Sequence, residues 1–263
     1  MLSMVLISSI MFTKVSAEYA VNIVGMSMDY KEYIQGVLLD SEDSDYSDLI
    51  GVELNYNYKM QTEDSNESND YNEILLNLMA LTGDTTYTGA YLGSGAGYGS
   101  VVGTTSNKIY DFNIGFARIY QQISSFDIRI ALGLGYRFWR RALSAHQVED
   151  YKWFSLRPSL VFSYKYDDFS IMPKFEYQYG LKPKMSATGL SEEFKLGSAN
   201  IMEFSLPLEY AINENLSLRG SYTYQYQKIQ ESNVVYDNDG NGLVEPQSKA
   251  YNQYIKFGLI FKY

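Results

Sequence analysis

The sequence predicts an all-β fold: a single closed antiparallel transmembrane β-barrel of about ten strands, with short turns at one end and long loops at the other. Three observations carry this. Side chains alternate with period two over segment after segment, which places one set on each face of a strand. Tyrosine and phenylalanine are in surplus, 26 and 13 of 263 residues, and aromatic residues favour strands and boundaries between apolar and wet surroundings. No stretch approaches the roughly 18 to 20 apolar residues that a spanning helix needs.

Residues 1–17, MLSMVLISSIMFTKVSA, join an apolar run to Val15-Ser16-Ala17, whose small residues suit cleavage before Glu18, so they read as an export signal. Residues 18–263 then form the barrel domain. Leu216 to Gln227 shows the pattern most clearly: Leu216, Leu218, Gly220, Tyr222, Tyr224 and Tyr226 alternate with Ser217, Arg219, Ser221, Thr223, Gln225 and Gln227. Phe126 to Phe138 repeats it. Counting onward predicts strands at 19–32, 48–60, 71–83, 107–121, 125–139, 151–166, 168–182, 199–211, 215–231 and 250–263. Short breaks at Gln122–Ser125, Tyr166–Asp168 and Asn213–Asn215 alternate with polar loops at 33–47, 84–106, 140–150, 183–198 and 232–249. Only the acidic run of residues 61–70 is longer than its place in that alternation suggests. Four short turns on one side and five loops on the other is the layout of spanning barrels, with periplasmic turns and extracellular loops.

A soluble sandwich also alternates, but its apolar face points inward. Here broad aromatic and aliphatic faces oppose small or charged ones, which fits a ring with its apolar face outward to lipid. Backbone groups find no water in lipid, so spanning strands must close on themselves. The opposed face then forms a polar network inside: Glu53, Asp111, Asp127, Arg129, Arg137, Arg157, Lys174, Glu176, Glu203, Glu209, Arg219 and Lys256, with Asn55, Asn57, Glu73, Asn77 and Asn113 beside them. Mixed signs predict ion pairs across the interior, since an unpaired buried charge costs several kcal/mol. At ten strands the interior should be filled by side chains and some water. Pro158, Pro173 and Pro207 fall within predicted strands, where a missing donor predicts bulges or shifted strand limits.

Composition also excludes. Cysteine is absent, which removes disulfides and thiolate sites, and His146 is the one histidine. A net charge of −10 opposes nucleic-acid phosphate.

The chain ends YIKFGLIFKY, with Phe257, Leu259, Phe261 and Tyr263 on one face up to the last residue. This resembles the C-terminal assembly signal read by the barrel assembly machinery. With the export signal and the ten segments, the chain resembles the small outer-membrane β-barrel proteins of Gram-negative bacteria over its full length. The resemblance implies a location in the outer membrane, lipid and lipopolysaccharide as surroundings, and a small solute or extracellular ligand as partner. The roles it leaves open are structural, surface-interacting or narrow and porin-like.

Ten strands is also the number in the omptin proteases. Around His146, the segment LSAHQVED brings Ser144, Glu149 and Asp150 near a rim position that would suit an omptin- or deacylase-like hydrolase. The omptin acidic pair has no counterpart here, and an isolated loop histidine is usually solvated, so no residue is assigned a catalytic role and no enzyme activity is expected. YDNDGNGLVEP reads either as a hairpin tip or as a calcium loop with Asp237, Asp239, Asn241 and Glu245 as ligands. No other cofactor is implied. Residues 93–100, GSGAGYGS, read as a flexible tip, and the acidic runs Asp40–Asp48 and Thr62–Asp70 as solvated.

Overall fold

A computed structural model describes residues 12–62, 70–90, 97–123 and 125–263. The long strands are β1 (Phe12–Ile34), β2 (Val37–Thr62), β3 (Tyr71–Gly89), β4 (Val101–Ile123), β5 (Phe126–Ser144) and β6 (Gln147–Tyr166). They continue as β7 (Phe169–Ile171), β8 (Lys174–Ala187), β10 (Ala199–Asn213), β11 (Leu216–Ile229) and β14 (Gln247–Lys262), and three two-residue strands, β9 (Phe194–Lys195), β12 (Val235–Tyr236) and β13 (Gly242–Leu243), complete the set.

Every pairing is antiparallel, and each strand from β1 to β6 pairs with the next. The sixth meets β7 and β8, these meet β10, and β10 meets β11. The run β11–β14 then returns to β1 through the register Glu18↔Lys262 to Tyr33↔Gln247. Since β7 and β8 are one strand interrupted at Met172–Pro173, the ring passes through ten strands. The alternation that predicted the strands is visible as burial. Along β4, Asn107, Ile109, Asp111, Gly115, Ala117 and Ile119 are turned inward, whereas Lys108, Tyr110, Phe112, Ile114, Phe116 and Tyr120 are exposed.

Two sequence expectations need correction. Residues 33–47 and 140–150 are not long loops. A two-residue turn, Gln35–Gly36 with φ of 51° and 84°, joins β1 to β2, and the pairing runs up to Ile34↔Val37. Likewise β5 and β6 pair through Ser144↔Gln147, and β3 and β4 through Gly89↔Val101. The polar composition of these segments reflects an exposed outer face on continuing strands. The acidic run Asp40–Asp48 is accordingly not uniformly solvated, because Ser41 and Glu42 are buried. Of Thr62–Asp70 and Gly93–Ser100, residues 63–69 and 93–96 lie outside the described residues, as do residues 1–11 of the expected export signal. Residues 12–17 of that signal pair with β2 as part of β1.

The prolines produce no bulge. Met172 N–H donates to the Pro207 carbonyl (2.9 Å), and the Pro173 carbonyl accepts from Phe162 N–H (3.0 Å). Pro173 and Pro207 keep the acceptor half of their pairs, and register is the same on both sides of the interruption. A larger irregularity lies in β2. Between Ser44 and Leu49 it spends five steps where β1 spends two, Met28 to Met26, so three residues are accommodated without partners. The Asp48 carbonyl is thereby pressed against β3, where a Cβ at Gly83 would lie 1.7 Å from it. Gly83→Ala therefore forces the bulge and β3 apart. We expect a loss of about 1–3 kcal/mol, the usual cost of overpacking, in the urea midpoint of the refolded chain.

Candidate functional site

Strand β5 serves as a ruler for the interior. Read from its turn end upward, its inward positions are Asp127, Arg129, Ala131, Gly133, Gly135, Arg137, Trp139 and Arg141. Each height has its own chemistry.

At the turn end Ala117, Ile119 and Ala131 form a small apolar patch with Tyr71 and Leu75 against it. Above it lies the polar network, built around Asp111. The Asp111 carboxylate accepts from Arg137 Nε (2.9 Å) and from both Arg157 terminal nitrogens (2.6 and 3.1 Å), and all three residues are at least 95% buried. The Arg157 side chain crosses in front of Gly135, where a Cβ would sit 2.0 Å from its Nε, so the missing side chain makes the arginine's room. Further pairs are Lys256–Glu53 (2.8 Å), Lys174–Glu176 (2.8 Å), Arg129–Glu73 (3.1 Å) and Arg219–Glu209. Glu203 accepts from Gln225 Nε2 (3.0 Å). Most of these groups line a cavity of about 210 Å³, whose lining also includes Asn22, Asn113 and Gln178, each with a buried amide oxygen that has no protein partner.

Ten of the twelve interior residues expected from the sequence line this one chamber, Asp127 and Glu209 being the exceptions, but the ion pairs named do not cross the ring. Arg137 and Arg157 reach Asp111 from one and two strands away, and Arg129 faces Glu73 two strands away. Asp127 has no ion pair among the described residues.

Above the chamber the interior is apolar, a layer the sequence reading missed. Val24, Met26, Met28, Leu49, Trp139, Trp153, Ile201 and Tyr254 are among a fully buried cluster, and Val235 of β12 enters it from above. The signal was present on β1 and β2, where inward positions turn from asparagine and glutamate to methionine and leucine.

Highest is a charged cluster around Arg141, which is 1% exposed. Its guanidinium donates to Glu42 Oε1 (2.9 and 2.7 Å), Glu32 Oε1 (2.6 Å) and Glu149 Oε2 (2.8 Å), and lies over the Tyr30 ring at 4.5 Å. Tyr30 O–H donates to Glu32 (2.6 Å), and Tyr151 O–H to Glu245. Four buried glutamates face one arginine. On the outer face at this height the residues are charged, with Arg140 bidentate on Asp150 (2.7 Å each) and Glu193 between Lys152 and Lys184. The cluster therefore stands clear of the apolar outer belt. Burial, with Glu32 nearby, pushes the Glu149 carboxyl up to about 7 against the opposing pull of Arg141. Glu245 is raised well above the ordinary range by the same burial and by Glu32 and Glu149, and Asp40 is raised to about 6 by burial and Glu32.

The other expected sites come apart. Glu245 is buried and does not join Asp237, Asp239 and Asn241. The Asp237 carboxylate caps the β12–β13 turn instead, accepting from Asp239 N–H (2.9 Å), Asn241 N–H (2.8 Å) and the Asn241 amide (2.9 Å), which hold its pKa low. At the rim Ser144 Oγ accepts from the N–H groups of His146 (3.2 Å) and Gln147 (3.0 Å), so it caps the β5–β6 turn, while Glu149 points inward to Arg141. Phe257, Leu259 and Tyr263 are exposed on the outer face of β14, and Phe261 is half-buried beside them.

No protein-family model matches the chain, and no curated protein matches its sequence. In structure it is similar to the outer-membrane protease OmpT of Escherichia coli, at 10% identity over 98% of this chain and 99% of that one, with a TM-score of 0.58. The translocator domain of the autotransporter NalP from Neisseria meningitidis aligns at 9% identity over 95% and 88%, TM-score 0.41. The Pseudomonas putida toluene transporter TodX aligns at 12% identity over 93% and 89%, TM-score 0.36. Of these three, OmpT alone bears on the fold, which is that of an outer-membrane β-barrel of omptin size.

Removing the central anion tests the chamber. Asp111→Asn keeps the shape but leaves two buried guanidiniums without a counter-charge, and we expect a loss of about 3 kcal/mol in equilibrium unfolding from lipid vesicles.

Proposed function

We propose that this chain is a non-conducting β-barrel of the bacterial outer membrane, and that it acts through the part of its wall that stands above the bilayer. The outer face supports the membrane setting. On β4 exposed Tyr110 and Tyr120 bracket Phe112, Ile114 and Phe116. Ten residues rising about 3.3 Å each, tilted by about 40°, span about 25 Å, the height of a lipid-facing band. Aromatic pairs recur at both edges of the belt, Tyr110–Phe138, Tyr136–Phe154 and Tyr226–Tyr251 at the upper edge, and Tyr19–Tyr56, Phe126–Phe162 and Phe169–Tyr210 at the lower. Between them lie exposed aliphatic side chains, for example Val21, Ile23, Val52, Leu54, Leu132 and Leu134, together with phenylalanines such as Phe112 and Phe116.

One observation carries the choice among the three roles. The interior is occupied from the paired polar chamber through the apolar layer to the Arg141 cluster, which favours a structural or surface-interacting protein over a porin-like one. The paired hairpins β1–β2, β3–β4 and β5–β6 continue above the belt as a stiff crown, a surface suited to contact with lipopolysaccharide or an external ligand. The exposed face of β14 suits recognition by the barrel assembly machinery. A rim hydrolase is the weaker reading, since Ser144 is engaged as a turn cap and Glu149 is drawn inward.

Reconstituted in planar bilayers at neutral pH, the chain should give no stepwise conductance, and regular steps would return the porin-like role. For the membrane setting, Leu132→Arg places a charge mid-belt and should cost about 2–4 kcal/mol relative to Leu132→Ala in vesicle unfolding. An equal effect of the two substitutions would argue against lipid at that face.

A further inference from the structure

The segment between β11 and β14 lies over the mouth of the ring. Its start is joined to the β9 segment by Asn233 N–H to the Lys195 carbonyl (3.1 Å) and Lys195 N–H to Asn233 Oδ1 (2.7 Å), and it has two seats inside the ring. Val235 is wholly buried in the apolar layer, with Leu243 packed on the same cluster, and Glu245 is buried against Tyr151. Its ends are tied to each other by Ser232 N–H to the Glu245 carbonyl (3.1 Å) and Glu245 N–H to Ser232 Oγ (2.9 Å). One seat is oily and indifferent to pH. The other is a carboxyl in an acidic nest.

Glu245 faces Glu149 and Tyr151 from β6, Tyr30 and Glu32 from β1, and Arg141 from β5. From β2 come Glu42, bonded to Arg141, and Asp40, to which Tyr87 of β3 donates (2.8 Å). One carboxylate oxygen each from Glu32, Glu149 and Glu245 lies within 4.8 Å of the other two. Arg141 is the one buried cation among these groups. Like charges at that spacing in a water-poor setting cannot all ionise together, and Arg141 already spends its donors on Glu42, Glu32 and Glu149.

We propose that residues 232–246 are a proton-held latch: protons held by Glu149 and Glu245 in this acidic nest keep the segment seated, and their loss as pH rises lifts it off the mouth. This deepens the proposed closed barrel by naming what regulates its upper seal, and it rests on that filled interior. The direction follows from linkage. The seated form holds Glu149 at about 7 by burial, above the ordinary 4.5, whereas in the lifted form the carboxyl returns to water. Seating is therefore fully favoured below about pH 4.5, weakens as pH climbs toward about 7, and gains nothing more from protons beyond it. One group shifted that far changes the seated-to-lifted ratio on the order of 10²-fold.

The chain carries its own reporter. Its two tryptophans, Trp139 and Trp153, are 3% and 2% exposed in the layer beneath the latch. In the full chain reconstituted in phosphatidylcholine vesicles, acrylamide quenching of their fluorescence should rise several-fold between pH 5 and pH 8.5. Glu245→Gln, which keeps the shape of the protonated side chain, should hold quenching low over the whole range. A flat wild-type profile would overturn the proposal, as would a rise that survives in Glu245→Gln. A rise suppressed by millimolar calcium at fixed pH would overturn it too, by making a cation the neutralising partner. Should Glu245→Gln fail to give the heat-modifiable folded band on a gel, Glu149→Gln is read in its place. Conductance on the same vesicles separates the two claims: steps at neutral pH would refute the filled interior, whereas flat quenching refutes the latch alone.

Discussion

Closure of β14 on β1 is the contact on which the rest depends. The β1–β14 ladder runs from Glu18↔Lys262 to Tyr33↔Gln247, so the first and last long strands leave no free edge. A spanning sheet with an open edge would strand a row of N–H and C=O groups in hydrocarbon, each at a cost of several kcal/mol. Closure also creates an inside, and everything charged that faces inward must then find its partner there.

The interior solves that problem differently at each height. In the chamber, strands one or two apart supply opposite signs, as with Asp111 on β4 against Arg137 on β5 and Arg157 on β6. In the layer above, Met26, Leu49 and Trp139 remove the problem by carrying no charge. At the crown the numbers do not balance, with one guanidinium among four glutamates, and the proposed latch protons supply the missing neutralisation. The outer face at that height takes the ordinary course, pairing Arg140 with Asp150 in water, where such a pair adds little.

Strand number and face were legible in the sequence because the period-two pattern repeats on both sides of every turn. Leu216 to Gln227 and Phe126 to Phe138 read the same way in either source. Strand length was not legible. Above the belt the outer face becomes polar while the inner face stays apolar or acidic, so Lys31 to Asp43 and Arg140 to Asp150 carry the composition of loops. The chamber residues could be assigned to a face, but not to partners, since register between strands fixes that Arg157 meets Asp111 rather than a glutamate across the ring. The crown was hidden for a different reason. Its members come from β1, β2, β5, β6 and the segment before β14, and nothing local to Glu245 separates a buried carboxyl from the turn ligand its neighbours suggested.

The three wall prolines have a mechanical consequence. Pro158, Pro173 and Pro207 sit on β6, the β7–β8 strand and β10, three neighbours in the ring, and each withdraws a donor from the same sector. Elsewhere the hoop is stitched on both sides of each strand. When the surrounding bilayer squeezes the cylinder out of round, the strain will gather along that under-stitched stave, which acts as a built-in flexure while the opposite wall, β1 to β4, keeps its curvature.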